Sequence, residues 1–242
     1  TGVRLTVMGD LPVQLGKLCR IALDPSHESP VALRIEVRDQ RDWELVCLIH
    51  DGIYELGRPS HYVSLDCTSQ EVSFLVPATM DEGDVYWFQR DLFACLGSLS
   101  REPLLHSSAV VHLGMGYVFC ASSGIGKSTV AKLLSSHATV VNDETNWITR
   151  GPSGEYSLVN QPYWFGGEAT ESVVPVAAIH LLERAETCCI QPCGLSAEAF
   201  STLLAVHLPL NSTDPFLAER SLSILQMVRE VPLRRFLFRR DV

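Results

Sequence analysis

One short glycine-containing segment carries the residue types that bind phosphate groups. Residues 121–128 read Ala-Ser-Ser-Gly-Ile-Gly-Lys-Ser, after an apolar run typical of a strand and before a stretch that predicts a helix. Glycines let successive backbone N–H groups turn toward phosphate oxygens, and a helix start adds unpaired N–H donors. Lys127 would reach the terminal phosphates, and the Ser128 hydroxyl would bind Mg²⁺. An ordinary strand-turn-helix with a surface lysine is the alternative, but the strand-loop-helix context and the Gly-Lys-Ser core together favour a nucleoside triphosphate site.

The expected ligand of this loop is ATP with Mg²⁺, and GTP is the alternative. One residue departs from the usual motif, because Ala121 stands where the first glycine is expected. Alanine is compatible with that position if its backbone φ is negative. The motif assigns the following residues to nucleotide binding: Ser122, Ser123, Gly124, Ile125, Gly126, Lys127, Ser128 and Thr129.

Two acidic residues follow the loop at a spacing that can return them to it. Asp143 and Glu144 come sixteen and seventeen positions after Lys127. A helix of about ten residues leads roughly 15 Å away from the loop, and a predicted strand at residues 138–141 leads back. Polar residues that end a buried strand beside a phosphate loop are typical of a catalytic site, although a solvated turn is the alternative. His106 lies twenty-one residues before Lys127 and, taken alone, is read as a surface or core histidine.

Three segments together resemble the catalytic domain of HPr kinase/phosphorylase: residues 105–110, 122–129 and 142–144. The similarity is closer to the HPr-kinase-like proteins found with peptide-modification systems, which include kinases of lasso-peptide precursors. This fold is shared with ATP-dependent phosphoenolpyruvate carboxykinase. The resemblance extends over residues 104–242, with further similar segments at residues 161–168, 175–182, 231–233 and 236–239.

The resemblance implies roles for individual residues. Asp143 matches the acid that deprotonates the acceptor hydroxyl, and His106 matches the histidine beside that acid. Glu144 matches a second acid near the metal, with glutamate in place of aspartate. The segment that supports phosphorolysis in the bifunctional enzyme is not evident, which argues against reverse dephosphorylation. The implied catalytic residues are Asp143, His106 and Lys127, and the implied metal ligands are Ser128, Glu144 and Glu168, the last as a candidate metal or substrate group.

The elements that must position these residues fall in two regions. Residues 1–102 predict a small β-rich domain with strands at residues 31–37, 45–50, 62–66 and 71–76, a tight turn at Asp51-Gly52 and a final helix at residues 84–99. Residues 103–242 predict a P-loop kinase catalytic domain with strands at residues 108–112, 117–120, 138–141, 176–182 and 233–239, a hairpin over residues 147–159, and helices at residues 127–136, 196–207 and 215–230. Asp214 is expected to cap the last helix. The predicted fold class is therefore α/β, of the HPr-kinase/phosphoenolpyruvate-carboxykinase type.

Composition limits the classes of partner and compartment. The chain has 242 residues, of which 46% are hydrophobic and 19% charged, a balance that supports a packed core. A net charge of −9 argues against nucleic-acid binding. The sequence has neither a membrane-length apolar run nor an export pattern at its start. Eight scattered cysteines favour reduced thiols and a cytoplasmic location, and a zinc site at Cys188, Cys189 and Cys193 is the disfavoured alternative.

These observations predict an ATP-dependent kinase that transfers the γ-phosphoryl group to a hydroxyl. The expected acceptor is a Ser or Thr of a peptide or protein, with no nucleic-acid or membrane partner, and a homo-oligomer is compatible with this prediction. Two alternatives stay open: a small-molecule kinase of the same fold, and a nucleotide-sensing module without transfer activity.

Overall fold

The computed structural model describes residues 4–8, 32–38, 47–159, 173–208 and 216–239. The chain divides into two compact units, Thr1–Ser100 and Arg101–Val242. This division falls within two residues of the boundary that the sequence predicts between residues 102 and 103. Strands and helices are mixed along the chain, as expected for the α/β class. Among the described helices, none is both long enough and apolar enough to cross a membrane.

The first unit contains a six-stranded sheet and one helix. The strands are β1 (Arg4–Met8), β2 (Ala32–Arg38), β3 (Cys47–His50), β4 (Ile53–Gly57), β5 (Tyr62–Asp66) and β6 (Glu71–Pro77), and the helix is α1 (Glu82–Ser100). The strand order is β1-β2-β6-β5-β4-β3, with β1, β2 and β6 parallel and the other pairs antiparallel. Buried residues alternate along β5 and β6, so one face of the sheet supplies the core.

Local sequence signals explain two features of this unit. Asp51 and Gly52 both have positive φ, of 50° and 80°, which is the conformation that a two-residue hairpin turn requires. Helix α1 begins two residues before its predicted start. Its first turn is closed reciprocally, because Asp84 N–H donates to the Asp81 carboxylate at 2.8 Å and Asp81 N–H donates to the Asp84 carboxylate at 3.3 Å.

A buried ion-pair network joins α1 to the turn between β4 and β5. Asp91 is 3% exposed and accepts hydrogen bonds from Arg58 on both carboxylate oxygens and from His61 Nε2 at 3.1 Å. Ser60 Oγ lies 2.9 Å from His61 Nδ1. These are the residue types of a hydrolase triad, but Ser60 is only 2% exposed, so we assign the network a stabilising role. Burial raises the pKa of Asp91, but the hydrogen bonds and charges of His61 and Arg58 outweigh burial and hold that pKa below its usual range.

We expect Asp91→Asn to lower the free energy of unfolding by about 3–5 kcal/mol, because a largely buried Arg58 loses its counter-charge. Urea unfolding followed by circular dichroism measures this loss. The pKa of Asp91 is lowered in the folded state, so its contribution is complete above the unfolded pKa of about 3.9 and is lost as the pH falls through the folded-state pKa. The difference between wild type and variant should therefore shrink below about pH 4.

The control is Glu230→Gln, which breaks the exposed Arg150–Glu230 ion pair, whose Nη2···Oε2 distance is 3.0 Å. An exposed pair contributes at most about 1 kcal/mol. Equal losses in the two variants would show that the Asp91 network contributes no more than an ordinary surface pair.

The second unit is built on a nine-stranded sheet. Its strands are β7 (Leu104–Leu105), β8 (Ser107–His112), β9 (Met115–Cys120), β10 (Thr139–Asn142), β11 (Asn146–Arg150), β12 (Tyr156–Val159), β13 (Val173–Arg184), β14 (Cys189–Pro192) and β15 (Leu233–Phe238), and its helices are α2 (Lys127–Leu134), α3 (Ala197–Val206) and α4 (Leu217–Glu230). The order β10-β8-β9-β13-β12-β11-β7 forms the main path, β15 also pairs with β13, and β14 pairs with β15.

Strand β13 belongs to both halves of this curled sheet. Its first residues pair antiparallel with β12, and its last nine residues run parallel to β9 and β15. The carboxyl ends of β9, β13 and β15 therefore meet at one edge of the sheet. The loop of residues 121–126 leaves β9 at this edge, and β13 reaches it with Arg184.

The two faces of the sheet have different cover. One face packs under α3 and α4 and carries Val118, Cys120, Ile179 and Leu181. The other face packs against Val130 and Ala131 of α2 and carries Val110, Phe119, Leu182 and Phe238. The alternation of a strand accounts for this division, because successive side chains of β9 and β13 point to opposite faces.

Several predicted elements differ from the observed ones. Helix α2 ends at Leu134 rather than at residue 136, and β13 is longer than predicted at both ends. Helix α4 begins at Leu217, after Phe216, which makes no side-chain cap; Asp214 and Pro215 lie outside the described residues. The sequence patterns missed four strands. They are β1, β4, β7 and β14, of which β7 has only two residues and β14 is exposed along most of its length.

Candidate functional site

The loop of residues 121–126 needs glycine at two positions for different reasons. Gly124 has φ of 79°, and a Cβ added there would meet nothing within 4 Å. Gly126 has φ of 132°, and an added Cβ would lie 2.8 Å from Cζ of Phe238 in β15. Ala121 is buried with negative φ, so the residue that departs from the usual motif meets no conformational obstacle.

Lys127 is buried at the junction of the loop and α2. The residue is 6% exposed, and its Nζ donates a hydrogen bond to Ala121 O at 3.0 Å, so the side chain spans the loop. Its own carbonyl accepts a hydrogen bond from Ser108 Oγ at 3.0 Å, which ties the start of α2 to β8. Burial lowers the pKa of the Lys127 amine, and the Cys120 and Glu144 side chains act in the opposite direction.

Arg184, at the end of β13, holds the loop from the other side. Its Nε donates to Ile125 O at 3.0 Å, and its Nη2 donates to Gly124 O. In a trans peptide the carbonyl and the following N–H point in opposite directions, so the Gly126 N–H points away from the guanidinium. The sequence motifs assign no role to Arg184. The missing signal is its place at the end of a strand parallel to β9, which a local pattern does not encode.

An asparagine builds the turn that carries the two acids. Asn142 Oδ1, at the end of β10, accepts hydrogen bonds from the N–H groups of Glu144 at 2.8 Å and Thr145 at 3.0 Å. This side-chain turn places Asp143 and Glu144 side by side, both half-buried. Asn146 Nδ2 then donates to Ser107 O at 2.7 Å, which fixes the turn against the start of β8.

His106 lies against Glu144. Its Nδ1 is 2.9 Å from Glu144 O and 3.4 Å from the Glu144 carboxylate, and the Ser107 N–H donates to the same carbonyl at 3.2 Å. A carbonyl oxygen can only accept, so Nδ1 carries a proton and Nε2 is the acceptor nitrogen of the neutral ring. The resemblance associates His106 with the acid at Asp143, and the structure places His106 in contact with the neighbouring acid Glu144.

The predicted site residues therefore have different placements. Lys127, Glu144 and His106 are brought together, with Asp143 next to Glu144 in the chain. Ser122, Ser123 and Ser128 are exposed at the loop and the first turn of α2, and Thr129 is half-buried. Glu168 and the rest of residues 161–168 lie outside the described residues. The supporting residues that the sequence interpretation did not identify are Ser107, Ser108, Asn142, Asn146 and Arg184.

Metal binding at this site would depend on the ligand. The described ranges contain no cluster of three or more His, Cys, Asp or Glu residues that could hold a metal alone, and this includes the cysteines at 188, 189 and 193. Mg²⁺ is commonly held by one or two protein oxygens together with substrate phosphates and water. Ser128 and Glu144 can supply such oxygens.

A small polar cavity lies beside the loop. Its volume is about 200 Å³, and its walls include Ala121 and Ser122 of the loop and Thr202 of α3. Arg235 lies in it between two carboxylates, 3.4 Å from Glu183 and 3.7 Å from Glu198. The cavity can accept a polar group of a molecule bound at the loop.

In comparisons with known proteins, neither a protein-family model nor a curated protein matches this chain.

The two loop glycines generate a test of the loop geometry. We expect Gly126→Ala to destabilise the protein by roughly 2–4 kcal/mol, because the new Cβ meets the Phe238 ring and φ is positive. Gly124→Ala should cost only about 1–2 kcal/mol, since its surroundings are open and only the backbone conformation is unfavourable. Urea unfolding of the two variants compares them directly. A Gly124→Ala variant at least as unstable as Gly126→Ala would contradict the close approach of Phe238.

Proposed function

We propose that this protein is a P-loop phosphotransferase of the HPr-kinase/carboxykinase type. It binds ATP and Mg²⁺ at the loop of residues 121–128 and transfers the γ-phosphoryl group to a hydroxyl, a Ser or Thr of a peptide or protein. The observation that carries the proposal is the position of Lys127, buried at the start of α2 with its amine across a glycine-containing loop and the Glu144 carboxylate nearby.

The loop is suited to a polyphosphate. Buried ammonium groups are costly unless paired with a negative charge, and a phosphate beside Lys127 would supply one. The helix start and the Gly126 N–H, which Arg184 orients through the loop carbonyls, add donors for phosphate oxygens. Arg184 also brings a second positive charge to a loop that belongs to a chain of net charge −9.

The proposed transfer uses the two acids differently. Ser128 and Glu144 would hold Mg²⁺, which would offset the negative charge of the phosphates, and His106 holds Glu144 in place. Asp143 accepts the proton of the acceptor hydroxyl as its oxygen bonds to the γ-phosphorus and the bond from that phosphorus to the ADP oxygen breaks. Catalysis then rests on positioning and on charge stabilisation by the loop and the metal.

Nucleotide binding is tested first. We expect Lys127→Ala to weaken binding of a non-hydrolysable ATP analogue with Mg²⁺ by at least about 10-fold, as expected for loss of a charge-assisted hydrogen bond. Arg184→Met should weaken it by a smaller factor, because this side chain acts through the loop carbonyls. Isothermal titration calorimetry measures both.

The matched control for Lys127 is Lys132→Ala, which removes an exposed lysine of the same helix. Its affinity should equal that of the wild type. Equal affinities of the Lys127 and Lys132 variants would exclude Lys127 from the site.

The roles of the acids are tested separately. We expect Asp143→Asn to retain ATP binding and to lower kcat by about 10²–10⁴-fold, because the amide cannot accept the acceptor's proton. Glu144→Gln should be partly rescued by raised Mg²⁺, and Asp143→Asn should not. Phosphoryl transfer to candidate hydroxyl acceptors, or ATP hydrolysis with water as acceptor, supplies the rate.

Three outcomes would change the assignment. Metal rescue of both variants to the same extent would make the pair a metal site only. A larger, metal-insensitive loss in Glu144→Gln would move the base to Glu144. Tight ATP binding without transfer to peptide, protein, small-molecule or water acceptors would favour the nucleotide-sensing module.

A further inference from the structure

A second cavity lies on the face of the sheet that α2 covers only in part. Its volume is about 520 Å³, within the range of roughly 300–1,000 Å³ found for small-molecule sites. Leu134 and Ala138 bound it at the end of α2, and Ile190 of β14 bounds it on the opposite rim. None of its lining residues belongs to the loop of residues 121–128.

The floor of the cavity is a platform of four rings from three neighbouring strands. Tyr117 and Phe119 come from β9, His180 from β13 and Phe236 from β15. His180 stacks on Phe119 with a centroid distance of 5.3 Å and an interplanar angle of 23°. Phe236 meets His180 edge-on, at 6.1 Å and 69°. The rings are inclined to one another, and Phe119 and His180 are only 3% and 4% exposed. The half-buried Tyr117 and Phe236 therefore supply most of the aromatic surface that a planar ligand can contact.

The charge of the cavity is opposite to that of the chain. The chain has a net charge of −9, yet the lining residues within the described part of the chain include no aspartate or glutamate. They include Arg234, which is exposed and has no carboxylate within ion-pairing distance in the part of the chain that the structure describes. His112 and His137 lie at the same cavity, and His112 Nδ1 is 2.9 Å from His137 O.

One ring nitrogen of His180 is buried without a hydrogen-bond partner among the described residues. His180 is 4% exposed, and the unsatisfied nitrogen is Nδ1. Buried polar atoms are nearly always hydrogen-bonded, and an exception in a cavity wall points to a ligand or water that completes it. Burial, followed by the nearby charge of Arg234, lowers the pKa of His180 to about 4, so the ring is neutral at pH 7 and Arg234 is the permanent cation.

We propose that this cavity binds a small molecule that combines a planar aromatic body with one anionic group. The aromatic body lies on the ring platform, and the anionic group, a carboxylate or sulfonate, pairs with Arg234. Inorganic phosphate or a polyphosphate alone is disfavoured, because most of the wall is apolar and would desolvate a multiply charged group without pairing it.

A matched pair of dyes tests the two halves of the proposal. The anionic probe is 8-anilinonaphthalene-1-sulfonate, and the uncharged probe is N-phenyl-1-naphthylamine, which has the same rings without the sulfonate. Fluorescence titration of the full chain should give one saturable site that prefers the anionic dye. Arg234→Gln should weaken its binding by about 10- to 100-fold, as expected for loss of a charge-assisted hydrogen bond, and should leave the uncharged dye unchanged.

Further variants locate the site and separate it from the loop. Ile190 is 53% exposed at the rim, so its substitution leaves the core intact. Ile190→Glu should weaken the anionic dye more than Ile190→Gln does, because only glutamate adds a repelling charge. Arg229→Gln, which removes an exposed arginine of α4, and Lys127→Ala should bind the dye as the wild type does.

Three results would overturn the proposal. Equal binding by the Arg234 and Arg229 variants would make the cavity an apolar surface without anion selectivity, and so would equal affinity of the wild type for both dyes. Loss of dye binding in Lys127→Ala would place the dye at the phosphate loop. None of these results bears on ATP binding, which calorimetry measures independently.

Discussion

The close approach of Gly126 to Phe238 is the contact on which the geometry of the second unit's loop depends. Only a hydrogen at the Gly126 Cα leaves room for the ring, since a Cβ would lie 2.8 Å from it. This close approach brings the first residue of α2 close to the sheet. Val130 and Ala131 of the helix then pack against the same sheet face as Phe238. Lys127 follows Gly126 directly, so the contact that seats the helix also buries the lysine at the edge where β9, β13 and β15 end.

The charged side chains at this edge of the sheet come from the elements that flank the loop, and residues 121–126 carry no charged side chain. Lys127 bonds to the carbonyl at the start of the loop, and Arg184 bonds to the carbonyls at Gly124 and Ile125. Lys127 and Arg184 therefore both donate hydrogen bonds to loop carbonyl oxygens. The N–H groups of the same peptides point away from these two side chains. Glu144 approaches from the β10 side, held by His106 and by the turn on Asn142. Lys127, Arg184 and Glu144 lie at or after the ends of separate strands. They can contact one ligand only because those strands end at the same edge of the sheet.

Local signals in the sequence predict the parts of this site that local chemistry determines. The loop glycines, the helix after them, and the hairpin of β11 and β12 follow from spacing and turn residues, and the observed elements confirm them. Arg184 could not be predicted in this way, because its contact requires the parallel register of Leu181 with Cys120, across sixty-one positions. The contact of His106 with Glu144 likewise depends on the pairing of β8 with β10. The sequence patterns did not predict strand β14, because an exposed edge strand lacks the apolar alternation that marks a half-buried strand.

The unequal cover of the two sheet faces has a simple origin in helix length. Helices α3 and α4, of ten and fourteen residues, cover the face that carries Val118, Cys120 and Ile179. The opposite face has α2, whose eight residues extend about 12 Å. Val130 and Ala131 of α2 pack in one cluster with Phe119, and the half-buried Tyr117 lies at the edge of that cluster. The cavity beyond the cluster is lined by aromatic rings together with the exposed Arg234. Single exposed apolar residues are ordinary, whereas a contiguous apolar patch often marks a contact site. The combination of apolar rings with one cation, on a face that α2 covers only in part, is what motivates the proposed aromatic anion.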